Sequence, residues 1–145
     1  MEPGNKIKEY NMMTHSKIRV ALLGLGEVGE LFAERFLAKI QESKLPIEIV
    51  AVADRNTESP VALGFKHSGV PVFKHAFEVI KLGDHVDIIF DLTGDPLVRK
   101  ALRLQMKDSE NAHTVIAPEV VARLLYYFFS EETKFPEKHK DRGGY

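Results

Sequence analysis

The sequence predicts an α/β domain, a doubly wound parallel sheet with strands expected in the order 3-2-1-4-5, and three observations carry that reading. Short apolar runs (IRVALL, IEIVAVA, VDIIF and HTVIA, with a brief one around Val72 and Phe73) alternate with stretches of helical period. The runs are apolar on both faces, as strands covered on both sides are, and helix-containing connections favour parallel pairing with right-handed crossovers. A glycine-rich turn follows the first run directly.

Taken in order, residues 1–16 show no sustained period and contain Pro3 and Gly4, so a flexible arm is expected, with Met12 or Met13 as alternative starts. The domain is expected over 17–130. The first strand stops at Gly24, and a helix from Glu27 to about Ser43 turns Val28, Leu31, Phe32, Phe36 and Ile40 inward at three- and four-residue steps. Pro46 resets the chain into IEIVAVAD, and NTESP is turn chemistry. A short helix or loop is expected over Val61 to Ser68, the third strand around Val72, and a helix from about Ala76 to Leu82. Asp95 caps a helix that starts at Pro96 and runs to about Lys107, with Leu97, Ala101 and Leu104 expected inward.

Pro118 opens the last helix, over about 119–130. Val120, Val121, Leu124, Leu125 and Phe128 are expected to cover the sheet, with Ala122, Tyr126, Tyr127 and Phe129 spreading apolar surface round the rest. A helix apolar nearly all round is normally buried on more than one side, so an interface with a second copy or a partner protein is expected there, at Tyr127 and Phe129. The tail, 131–145, has four acids and four bases and is expected to be solvated and mobile.

Composition narrows the partners. The 145 residues carry 20 Lys plus Arg against 21 Asp plus Glu, a net charge of -1, which gives no basic excess for nucleic acid or an anionic membrane. There are no cysteines, so disulfides, Cys-ligated zinc, iron–sulfur clusters and a thiol nucleophile are excluded. No apolar run approaches a membrane span of about 18 residues, and no secretory leader is visible, so a cytoplasmic protein is expected. Six histidines, at 15, 67, 75, 85, 113 and 139, show no metal-ligand spacing, and no metal is expected.

The chemistry concentrates at strand ends. Gly24-Leu25-Gly26-Glu27-Val28-Gly29 fits G-x-G-x-x-G between a buried strand and an amphipathic helix. Gly24 can make the tight turn, Gly26 can admit a pyrophosphate to the backbone, and Gly29 can let helix and strand pack closely. The helix N-terminus offers amides and a partial positive charge to phosphates. Asp54 ends the neighbouring strand, where a carboxylate accepts from both hydroxyls of an adenosine ribose; it follows Gly29 by 25 residues, the long helix and the Lys44-Leu45-Pro46 turn accounting for the extra length. Arg55 could meet a 2'-phosphate, but Asp54 should repel one, so NAD is expected over NADP. Leu92, Thr93 and Gly94 lie where the strand order reverses; they face the pyrophosphate or nicotinamide ribose, or they are only a turn and helix cap.

With these residues placed, Ile18 to about Ser130 resembles the N-terminal NAD(P)-binding domain, a Rossmann fold, of homoserine dehydrogenases, aspartate dehydrogenases and the glucose-fructose oxidoreductase type. The resemblance rests on VALLGLGEVG, IEIVAVADRN, GVPVFKHAFEVI leading to VDIIFDLTG, and HTVIAPE. It implies an oxidoreductase cofactor domain, which in that family precedes a second domain carrying substrate contacts. Such relatives have a lysine at the end of the fifth strand, where this sequence has Ala117-Pro118-Glu119. Glu119 is either a base near the nicotinamide or an acid in the first turn of the last helix, and no catalytic residue is assigned. The alternatives to an enzyme are an NAD(H)-responsive regulatory module and a cofactor subunit completed by a separately encoded substrate domain.

Overall fold

The computed structural model describes residues 16–130 and Phe135. The expected arm up to His15 and all of the expected tail except Phe135 lie outside the described residues. Five strands, β1 (Ile18–Leu23), β2 (Ile47–Ala53), β3 (Val72–Phe73), β4 (Ile88–Asp91) and β5 (Val115–Pro118), form one sheet in the order β3-β2-β1-β4-β5. Every pairing is parallel, as expected. Five α-helices connect and follow them: α1 (Glu27–Ser43), α2 (Pro60–His67), α3 (Phe77–Ile80), α4 (Pro96–Asp108) and α5 (Glu119–Phe129). A 3-10 turn at Gly83–His85 follows α3, so the helix expected up to Leu82 is shorter than its apolar pattern suggested.

Both faces of the sheet are covered, and the side chains divide accordingly. Val20, Leu22, Val52 and Phe90 pack on one side with Phe32 and Phe36 of α1, Ala62 and Phe65 of α2, and Ala122 of α5. Ala21, Leu23, Ala51, Ala53 and Ile89 pack on the other with Val79 and Ile80 of α3 and Leu102 of α4. The β1–β2 register shifts between Val20 and Ala21: Val20 pairs with Ile49, Ala21 with Ala51, and Val50 is left as an extra residue. It is a β-bulge, one residue inserted in the longer strand.

Helix phase departs from the sequence reading twice. On α4, Leu97 is 78% and Leu104 55% exposed, and Ala101 is exposed as well. The buried residue is Leu102, with Val98 and Met106 packed partly beside it. Two apolar stripes compete on this helix, and packing against the sheet and α3 selects the one with Val98, Leu102 and Met106; the Asp95 cap fixes where the helix begins, its Oδ1 accepting from Leu97 N at 2.9 Å. On α5, Val121 and Leu125 do pack on the core, but Val120, Leu124 and Phe128 stand exposed. The buried side is Ala122 and Tyr126, with Phe129 against α1. The small Ala122 admits the neighbouring helix, and the Phe129 ring lies 5.7 Å from that of Phe32 and 5.8 Å from that of Phe36. Phe129 is therefore a packing residue and not part of an exposed patch.

Phe135 corrects the reading of the tail at one position. It is buried against Val28 in the first turn of α1 and against Tyr126, its ring 5.1 Å from that of Tyr126. At the opposite edge of the sheet, Asp87 accepts from the backbone and guanidinium of Arg19 at 2.7 and 2.9 Å and bonds His113 Nε2 at 2.6 Å. Bonding to the Arg19 guanidinium holds the Asp87 carboxyl well below the usual carboxylate range. This cluster ties the amino ends of β1, β4 and β5 together, away from the glycine turn.

Candidate dinucleotide site

The turn at Gly24–Gly29 sits at the carboxyl end of β1, beside β4, where the strand order reverses and open α/β sheets bind ligands. Gly24 has φ +91, and a Cβ there would lie 2.9 Å from Thr93 N and 3.0 Å from Leu92 O. Gly29 packs directly on the Gly24 carbonyl, which a Cβ would strike. Gly26 is different: a Cβ on it would meet nothing within 4 Å. Two glycines are thus fixed by protein packing, and the third faces open space at a helix N-terminus that has no side-chain cap. That combination fits a phosphate group approaching the backbone.

Asp54 belongs to the same turn. Its Oδ1 accepts from Leu25 N at 2.8 Å and its Oδ2 from Asn56 N at 3.0 Å. Each carboxylate oxygen retains a lone pair for a ribose hydroxyl. Leu25 and Val28 bury their side chains in the core while their backbone shapes the turn. Glu27 is exposed in the first turn of α1, where its charge opposes a phosphate and any contribution must come from its backbone.

The Leu92–Gly94 segment is used in part by the protein itself. Leu92 is buried and its N–H donates to Leu23 O at 2.8 Å. The Thr93 hydroxyl donates to the buried Asp91 at 2.7 Å, and Asp95 N donates back to Thr93 Oγ1 at 3.3 Å. Gly94 takes a positive φ of 64°. A turn and helix cap is therefore built here, and Thr93 also lines a cleft.

The cleft has a volume of about 460 Å³ and opens beside the turn, between the ends of β1–β4 and helix α4. Gly24, Asp54, Arg55, Thr93 and Asp95 lie on its walls, together with Lys74, His75 and Phe77, which sequence reasoning missed. Their signal was position: all three follow β3, whose end faces the ligand edge of the sheet. The His75 and Phe77 rings stack at 5.4 Å and 18°. Arg55 reaches across the mouth to Asp95 at 3.1 Å. Glu119 starts α5 at the end of β5, in the helix first turn. Among the described residues no group of three or more His, Asp or Glu side chains could hold a metal ion.

A parallel sheet in this order, with a glycine turn at its reversal point, defines a Rossmann-like α/β domain. The likeness to homoserine dehydrogenases expected from the sequence is met in solved structures. The S. aureus homoserine dehydrogenase at pH 7.0 matches 80% of this chain and 31% of its own, at 23% identity and a TM-score of 0.53. The same enzyme at pH 6.5 gives 23% identity and a TM-score of 0.51, and one from Thiobacillus denitrificans gives 26% and 0.49 over 70% of this chain and 23% of that one. The likeness is one of fold, and the chain spans less than a third of the length of these proteins. No protein-family model and no curated protein matches the sequence.

Proposed function

We propose that this chain binds a nicotinamide dinucleotide, NAD(H) in preference to NADP(H), as a cofactor domain of the oxidoreductase type. The observation that carries the reading is the join between Asp54 and the Leu25 amide, which sets a ribose-binding carboxylate beside the open backbone at Gly26. The pyrophosphate lies over Gly26 and the amino end of α1, the adenosine ribose against Asp54, and the adenine in the cleft lined by His75 and Phe77. A bound cofactor supplies hydride transfer, while the chain binds it, orients it and sets its surroundings.

Calorimetric titration of the purified chain with NAD, NADH, NADP and NADPH tests this. One equivalent of NAD or NADH is expected to bind, with NADP at least tenfold weaker; no binding of any of the four at millimolar concentration overturns the proposal. Turnover by these 145 residues alone is expected to be negligible, because Ala117-Pro118-Glu119 carries no lysine to act on a substrate. Steady NAD reduction with a small hydroxy or amino acid would show a missed catalytic group.

Association with a second copy accompanies this reading. Val120, Leu124 and Phe128 recur at four-residue steps on the outer face of α5, with Tyr127 beside them and Phe128 79% exposed. Val115 on β5, an edge strand among the described residues, is exposed too, so the apolar surface extends to a sheet edge. Two-fold pairing of this surface covers both copies at once. Light scattering at micromolar concentration should give a dimer that Leu124→Glu with Phe128→Glu converts to monomer. A wild-type monomer rules the pairing out.

A further inference from the structure

We infer that Asp95 sets the choice between NAD and NADP by holding the Arg55 guanidinium across the mouth of the cleft, an inference that rests on the dinucleotide reading above. Arg55 follows Asp54 at the end of β2, and its side chain is 86% exposed. Its Nη2 donates to Asp95 Oδ2 at 3.1 Å. Asp95 is the fixed member of the pair: its Oδ1 caps α4 through Leu97 N at 2.9 Å, and its own N–H donates to Thr93 Oγ1 at 3.3 Å. Pro96 restricts the backbone of the residue before it, Asp95, to the extended conformation. A mobile cation is thereby drawn to a carboxylate that cannot follow it.

The consequence concerns the 2'-position of the ribose bound at Asp54. An arginine at that place is suited to a phosphate, which its planar fork can meet bidentately. Held by Asp95 through Nη2, one arm of the fork is already engaged, and the Asp95 charge adds to that of Asp54 against an incoming phosphate. The side chains of fixed charge lining the cleft are Arg55 and Lys74 against Asp54 and Asp95, so they balance. A ribose hydroxyl enters such a mouth without penalty, whereas a dianionic phosphate does not. Changing Asp95 to Asn removes one negative charge and frees the guanidinium, yet keeps the helix cap, since Asn caps as well as Asp. Asp95 is a positioning residue here: it acts through Arg55.

Titration of NAD and NADP against wild type, Asp95→Asn, Arg55→Ala and the double variant, each at low and high salt, tests the inference. Asp95→Asn should raise the NADP-to-NAD affinity ratio about tenfold and steepen the salt dependence of NADP binding. Arg55→Ala should cancel that gain in the double variant. A purely structural role for Asp95 would shift both affinities together and leave the ratio in place; that outcome overturns the inference, as does a gain that survives in the double variant. If wild type binds NAD and the ratio does not move, only this inference falls. If wild type binds neither dinucleotide, the underlying reading falls with it.

Discussion

A Gly26→Val variant is expected to fold normally and to lose at least about 100-fold in NAD affinity, which corresponds to about 2.7 kcal/mol. The space beyond Gly26 is open, so the new side chain meets no protein atom within 4 Å at its Cβ. The backbone there, at φ −72 and ψ −161, is ordinary extended conformation that valine accepts. Valine is a poorer N-cap than glycine, which costs about 1 kcal/mol or less. All the damage therefore falls on whatever approaches the turn from outside. Thermal melts beside NAD titrations separate the two effects: an unchanged affinity in the folded variant would show that the pyrophosphate does not lie there.

Gly29→Ala, three residues further on, should do the reverse. Its Cβ would strike the Gly24 carbonyl. Neither side can yield easily, because Gly24 N is bonded to Ala53 O at 2.8 Å and Gly24 itself needs a φ of +91. Alanine gains about 1 kcal/mol over glycine in helix propensity. The backbone collision outweighs it, and a net loss of about 3 kcal/mol or more is expected, the upper range for overpacking. Urea denaturation followed by far-UV circular dichroism measures this, and a variant as stable as wild type would contradict the packing described.

The contrast between these two glycines also indicates how much of the molecule was legible in its sequence. The sheet order, the glycine turn and the Asp95 cap follow from patterns that depend on a few residues each, and the structure contains all three. Helix phase was not legible on α4 or α5. Each carries apolar residues on more than one stripe, and the choice was made by contacts distant in sequence: Ala122, Tyr126 and Phe129 turn toward α1 because its phenylalanines lie there. The far wall of the cleft was equally hidden. Lys74, His75 and Phe77 follow a strand of only two residues, too short for any period to announce what its end would face.

The extra residue in β2 was hidden for a related reason, since IEIVAVA is apolar on both faces and shows no break in alternation. Its effect is one of parity. Side chains on an unbroken strand change sides at every step, so Asp54 would share the side of Val50. Because Val50 is inserted, Ile47, Ile49 and Val52 share the α1 side, while Val50, Ala51 and Ala53 share the other. Asp54, two residues beyond Val52, arrives beside the Leu25 amide. Seven residues threaded here without the bulge would leave every motif readable in the sequence and turn Asp54 to the other side, whereas deleting Val50 alone would restore a regular strand and keep it. The site depends on a count as well as on a chemistry.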